Sequence, residues 1–340
     1  MEPAPRGSPP AHGATVRSRY FLRQVAQAIL TVAFIVLVNF VLFRMMPGSP
    51  ERILLGRNPN VSAEALQQTK ERWGLDKPLI PDQFVSYVVA TVQGDLGFSF
   101  VYRGKPVTQV LAERVGPTLL LFGLGELIAI FVGLAIGAYS GWRRGGPVDY
   151  VGNGISLILY SMPYFLIGMG LLVIFATALG WFPTYGMVTP GATYDSVGEH
   201  AADILAHLAL PLATVAIGLI GQYSILMRAS VIETMNDDYI TTARAKGLTG
   251  GRILRHHALP NAMLPAVTLI AVNLGYVVAG AITAEKVFNW PGLGTLTVEA
   301  LEARDFPVLQ GVFLLLSISV VAANLVADLI YGVLDPRVRT

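Results

Sequence analysis

Five stretches of this chain, residues 24 to 43, 150 to 182, 204 to 227, 256 to 284 and 306 to 327, contain no Asp, Glu, Lys or Arg. A sixth, 117 to 141, contains only Glu126. A helix needs about 20 apolar residues to cross the hydrocarbon core of a bilayer. Backbone polar groups in lipid must be satisfied within the segment, so such runs have few alternatives to helix. With only 14% charged residues in 340, well under the usual share for soluble domains, the expected fold is an all-α integral membrane protein of six transmembrane helices. Pro163 and Pro211 fall inside two of the windows and are expected to kink their helices without ending them.

Six spans put both ends of the chain on one side, and the cations say which. Arg6, Arg17, Arg19, Arg23, Arg143, Arg144, Arg228, Arg244, Lys246, Arg252, Arg255, Arg337 and Arg339 fall on one set of loops and ends. The short opposite loops, 183 to 203 and 285 to 305, carry only Lys286 and Arg304. The remaining opposite segment, 44 to 116, holds nine, but its length takes it out of the rule that cations stay inside. Both termini are expected to be cytoplasmic, in a multi-pass protein of the cell (inner) membrane.

Residues 1 to 20, rich in Pro, Gly, Ala and Ser, read as a disordered cytoplasmic tail, and 21 to 340 as the permeating domain. The cations before the first apolar run resemble a secretory leader, but no small-residue cleavage site follows, so the run is expected to stay as a span. In the outer segment, 44 to 116, "SAEALQQTKERWGLD" offers Ser62 and Glu64 as a helix start and Gly74 as a stop, and "PDQFVSYVVATVQGDLG" a second amphipathic piece. This region either meets a soluble partner outside or packs on its own spans.

Several chemistries have no residues to carry them. There are no cysteines. No G-x-x-x-x-G-K-[ST] phosphate loop occurs, "RGKP" at 103 to 106 being a fragment on the outer side, and no H-E-x-x-H or G-x-S-x-G is present. His256 and His257 point about 100° apart on a helix, poorly placed to share a metal. No catalytic group, bound cofactor, metal or nucleic acid is expected.

The main interruption of the apolar pattern is the loop from 228 to 262, "NDDYITTARAKGLTGGRILRHHALPNAMLP" at its centre. Asn236, Asp237 or Asp238 can cap a helix there. Ile240, Ala243, Gly247 and Leu248 make a narrow stripe of small apolar residues, and "GLTGG" ends it. A second short helix, 251 to 258, is expected to run to Pro260. The first helix either docks a partner through its small face or lies on the inner leaflet.

The loop resembles that of ABC importer permeases, whose pattern is E-A-A, three residues, G, nine residues, I-x-L-P. Thr241, Thr242 and Ala243 occupy the E-A-A places, Gly247 the glycine, His257 the isoleucine, and Leu259 and Pro260 the closing pair. Both threonines and His257 depart from the pattern. "DYITTARAKGL", "EKVFNWPGLGTL" at 285 to 296, "RDFP" at 304 to 307, "GDLGFSF" at 94 to 100 and "LDPRVR" at 334 to 339 look like the dipeptide and oligopeptide (and nickel) permease group, in particular its first permease subunit.

The resemblance implies the type I ABC importer permease fold and import of peptides, with nickel or another small solute as the alternative cargo. It also implies a second homologous permease subunit, two cytoplasmic ATPase subunits that hold ATP and Mg, and an external substrate-binding protein. Asp238, Tyr239, Thr241, Thr242, Ala243, Arg244, Ala245, Lys246, Gly247, Leu259 and Pro260 would form the ATPase-coupling element, with Gly247 small so that docking surfaces approach. The rival from another class is a stand-alone ion-coupled carrier, which leaves the polar loop unexplained.

Glu126 is the one acid well inside a span. Gly123, Glu126, Ile130, Gly133 and Gly137 share a face that should meet protein. The carboxylate either meets a cationic group of the cargo in the pathway or takes a hydrogen bond from a neighbouring helix. Arg228 and Asp328 lie near span ends, where snorkelling or a salt bridge accounts for them. Phe288 and Trp290 suit an interface belt, as anchors or as part of a gate.

Overall fold

The computed structural model describes residues 12–45, 78–102, 104–277 and 282–334. The proposed helix starting near Ser62 and the closing "LDPRVR" beyond Leu334 lie outside the described residues. The described residues are almost wholly helical: α1 (His12–Met45), α2 (Phe84–Val92), α3 (Val107–Trp142), α4 (Pro147–Ser161), α5 (Tyr164–Ala178), α6 (Val197–Thr234), α7 (Asp238–Ala245), α8 (Gly250–Tyr276), α9 (Ile282–Val287), α10 (Leu293–Ala303) and α11 (Phe306–Leu334). Five helices are each long and apolar enough to span a membrane, and the bent pair α4–α5 makes a sixth.

The helices outrun the charge-free windows that mark them. The first begins at His12 rather than near residue 21, so the expected boundary at residue 20 falls inside a helix. Once an apolar span has nucleated a helix, each added residue gains a hydrogen bond at little entropic expense, and the last proline upstream is Pro10. For the same reason α3 and α6 reach 36 and 38 residues, well beyond what the hydrocarbon requires.

Pro163 does more than kink its span. Met162 sits at φ −83°, ψ 128°, the extended conformation that the ring imposes on the preceding residue, and α4 and α5 meet at 102°. Helix α6, by contrast, runs on through Pro211. Pro260 also fails to end its helix. A wide turn over Leu254–Ala258 lets the Leu259 N–H reach back to the Leu254 carbonyl, and α8 passes through as one 27-residue element. That loosened turn is where a helix can admit a proline ring without a clash.

The central seam joins α3 and α6. Gly125, Ala129, Gly133, Gly137 and Gly141 recur every fourth residue on α3, and all are buried. A methyl placed at Gly133 would lie 2.8 Å from the Ile220 carbonyl oxygen, so the two backbones are in direct contact. This is small-residue packing of the kind that holds helices together where lipid supplies no hydrophobic drive. Of the expected stripe, Glu126, Gly133 and Gly137 are buried here, whereas nothing lies within 4 Å of a Cβ at Gly123, and Ile130 is only partly covered. At one end of the seam Arg228 of α6 holds Asp149 of α4 through both carboxylate oxygens, at 2.5 and 2.9 Å, so of snorkelling and a salt bridge the second accounts for that arginine.

Candidate functional site

The polar loop folds onto its own chain. Ile240 and Ala243 of α7 are 0% and 5% exposed and pack with Ile253 and Ala258 of α8. Met235, Leu248 and Leu254 surround them. The small-residue stripe expected to receive a partner is therefore turned inward, because a helix of eight residues does not persist unless its apolar face is buried. The exposed face consists of Asp238, Tyr239, Thr241, Thr242, Arg244, Ala245 and Lys246. Tyr239 braces it, accepting from Asn261 Nδ2 at 2.8 Å while its hydroxyl donates to the His257 carbonyl at 3.4 Å. Leu259 packs beside Met227, Val231 and Ala262, and Pro260 is exposed.

Asp237 takes the position before the helix without a side-chain capping bond, and Asp238 supplies the first-turn acid. The other end closes with two bonds: Leu248 N–H to the Ala243 carbonyl at 3.3 Å and Gly247 N–H to the Arg244 carbonyl at 2.9 Å. Gly247 sits at φ +75°. This is the Schellman arrangement, which needs a left-handed residue at that point, and its hydrophobic contact is Leu248 on the buried cluster. Nothing lies within 4 Å of a Cβ there. Within its own chain the glycine is thus required by backbone conformation, as the helix stop read at "GLTGG" anticipates.

At the opposite end of the bundle three quoted motifs converge. Asp305, fully buried, accepts the Ser99 hydroxyl at 2.5 Å and the backbone N–H groups of Phe100 and Val101 at 3.1 Å each. "GDLGFSF" and "RDFP" are therefore two halves of one knot. Glu285 of α9, also 0% exposed, accepts the Thr118 hydroxyl at 2.7 Å, the Gly294 N–H at 2.7 Å and the Thr295 N–H at 3.0 Å. Thr118 in turn accepts from Leu293 N–H at 2.8 Å. The carboxylate ties α9, α3 and the start of α10 together, where the free N–H groups of a helix favour an anion.

Phe288 and Trp290 lie inside this end rather than in an interface belt. Both are almost fully buried, and Trp290 Nε1 donates to the Pro117 carbonyl at 2.9 Å. The Glu285 and Asp305 clusters were missed by sequence reasoning. A carboxylate seven residues ahead of the start of "GLGT", in an otherwise acid-poor apolar stretch, was the available signal.

Glu126 faces protein, 2% exposed. It accepts the hydroxyl proton of Tyr223 on α6, whose oxygen accepts from Asn273 Nδ2 on α8 at 3.0 Å. One polar chain thus links three spans at their common junction. The coupling residues and Glu126 are not brought together: they belong to separate clusters. Among the described residues no three His, Cys, Asp or Glu side chains gather as metal ligands would.

Residues 133–340 match the model of the binding-protein-dependent transport system inner membrane component, and residues 17–121 that of the N-terminal part of such membrane components. The chain belongs to this family. It is an ABC importer permease, an integral membrane subunit. A putative peptide permease protein of Brucella suis biovar 1 is 38% identical over 94% of this chain and 99% of its own. The glutathione transport system permease protein GsiC of Pectobacterium atrosepticum is 36% identical over 94% and 98%. A chain of the MetNI methionine ABC transporter, solved in inward-facing conformations, matches with a TM-score of 0.54 at 18% identity, over 68% of this permease and 99% of that chain. At that identity the likeness is one of fold. Membership sets aside the stand-alone ion-coupled carrier.

Proposed function

We propose that this permease forms half of the path of an ATP-driven peptide importer of the inner membrane, with both termini cytoplasmic, and that α7 is where ATPase subunits drive it. The observation that carries this is the build of α7. Its apolar residues are committed to the permease core, its end is capped, and a polar, partly cationic face is left uncovered. The family supports ATPase subunits as the occupants of that face. The names of the relatives, peptide and glutathione permeases, support peptides as cargo. The rest of the machine is a second homologous permease subunit, two ATPase subunits holding ATP and Mg, and an external binding protein that selects the cargo. The permease itself hydrolyses nothing. Closure of the ATPase pair would move the docked helices, and the spans would rock between inward-open and outward-open forms of different cargo affinity.

Gly247 gives the test. Gly247→Arg is expected to weaken copurification of the ATPase subunit by about tenfold or more, the size seen at interface positions that matter, and to abolish uptake. Gly247→Asn, whose residue tolerates the left-handed region, should keep the fold while weakening association. Unchanged ATPase association and uptake in the arginine variant would end the docking reading.

For Glu126 the proposed role is to pin the three spans. Glu126→Gln keeps an acceptor for Tyr223 and is expected to leave uptake and its pH dependence intact. Glu126→Leu strips the buried Tyr223 hydroxyl of its acceptor and should lower stability by about 1–3 kcal/mol, read as a fall in melting temperature in detergent. Loss of uptake in a thermally normal glutamine variant would instead assign the carboxylate to the cargo path.

A further inference from the structure

Between the last turns of α3 and the first turns of α8 lies a cleft of about 720 Å³, at the end of the bundle that carries α7. Its floor is apolar, from Ala138 and Leu254, and its rim holds Arg252, Arg255, His256 and Trp142. Arg143, outside the lining itself, lies over the Trp142 ring, 5.1 Å from the centroid. None of these three arginines forms an ion pair with a carboxylate among the described residues. Arg252, Arg255 and Arg143 are all exposed.

Clustered guanidinium groups repel one another and gain most from a shared anion, above all a phosphate that two of them can grip. The position narrows the source. Arg252 and Arg255 stand in the first turns of a span, the depth at which headgroups lie, and Trp142 and Tyr139 supply the aromatic pair typical of that layer. A free phosphate has no use for the apolar floor, whereas the first methylenes of an acyl chain do.

We infer that this cleft binds the headgroup of an anionic phospholipid, its phosphate between Arg252 and Arg255 and its chains descending against Ala138 and Leu254. Because α8 starts four residues after Lys246, the lipid would sit beside the docking helix. The leaflet concerned, the cytoplasmic one, follows from the orientation proposed above.

Native mass spectrometry of the full-length chain in detergent, with whatever companion subunits copurify, tests this by titration with dioleoylphosphatidylglycerol and with dioleoylphosphatidylcholine. The natural chain is expected to retain the anionic lipid preferentially. In the double variant Arg252→Gln, Arg255→Gln, that preference should fall by about thirtyfold, each cation near a membrane surface contributing about fivefold. The pair Arg252→Lys, Arg255→Lys, which keeps the charge but not the planar fork, should keep more of it than the glutamine pair. Equal retention of both lipids, or a preference unchanged in the glutamine variant, overturns the inference. Displacement of the lipid by millimolar inorganic phosphate overturns the lipid source in favour of a free anion. Loss of the ATPase subunit from the glutamine variant with lipid retention unaltered would assign the arginines to that protein interface and overturn it too. A chain that never copurifies an ATPase subunit yet shows the charge-dependent preference refutes the docking proposal and leaves this one standing.

Discussion

Glu285→Ala is expected to abolish uptake while leaving ATPase copurification intact. The substitution removes the acceptor of the Gly294 and Thr295 N–H groups and of the Thr118 hydroxyl, all in a buried setting. Each orphaned buried group costs about 1–3 kcal/mol, so the local loss is about 3 kcal/mol or more. The loss falls on the junction of α9, α10 and α3, at the far end of the bundle from α7. Limited proteolysis should cut the variant between Lys286 and Gly292, where the natural chain resists, and the melting temperature in detergent should fall. Glu285→Gln, which keeps one carbonyl oxygen but turns an NH₂ toward backbone donors, should be intermediate. Normal protease resistance and normal uptake in the alanine variant would show that the carboxylate is not what closes this end.

The other large effect belongs to the seam. Gly137→Leu should cost on the order of 3 kcal/mol or more, because even its Cβ would overlap the Ser224 carbonyl oxygen and lie 2.8 Å from Met227 Cβ. Backbone cannot yield as a side chain can. The expected result is a chain that elutes as aggregate after mild heating. Gly123→Leu on the same helix is the control: nothing stands within 4 Å of a Cβ there, so it should behave as the natural chain does. Equal thermal behaviour of the two variants would mean that α3 and α6 do not meet backbone to backbone.

The spans were legible because a long charge-free run has few physical alternatives in lipid, and the family match rests on motifs at fixed spacing. What lay beyond reading was which surfaces those spans turn to one another. Gly125 and Gly123 differ by two residues and by nearly opposite environments, and only the position of α6 distinguishes them. Trp290 looked like an interface anchor because isolated sequence cannot show that Pro117 offers it a buried carbonyl, 173 residues away. The stripe of Ile240 and Ala243 was recognised as apolar, but its owner was misassigned: the chain itself uses it. Pro163 was read as a kink within its span and Pro260 as the end of a short helix. One breaks its span outright and the other is absorbed, a difference that depends on the wide turn at Leu254–Ala258. Glu126 was correctly expected to face protein, whereas Tyr223 as its partner is a fact of tertiary structure.

The unbroken course of α8 has a mechanical consequence. Its first turn, at Ile253, is fastened to α7, and the same rod continues for 27 residues to Tyr276, a length of roughly 40 Å. A tilt of about 5° around the fastened end would carry the opposite end through roughly 3.5 Å at that length. Had Pro260 formed a hinge, as a proline inside a helix often does, displacement at α7 would have been dissipated in the bend. With the hinge filled by a wide but hydrogen-bonded turn, the helix works as a rigid rod, fastened to α7 at one end and carrying any tilt there to its far end across the bilayer.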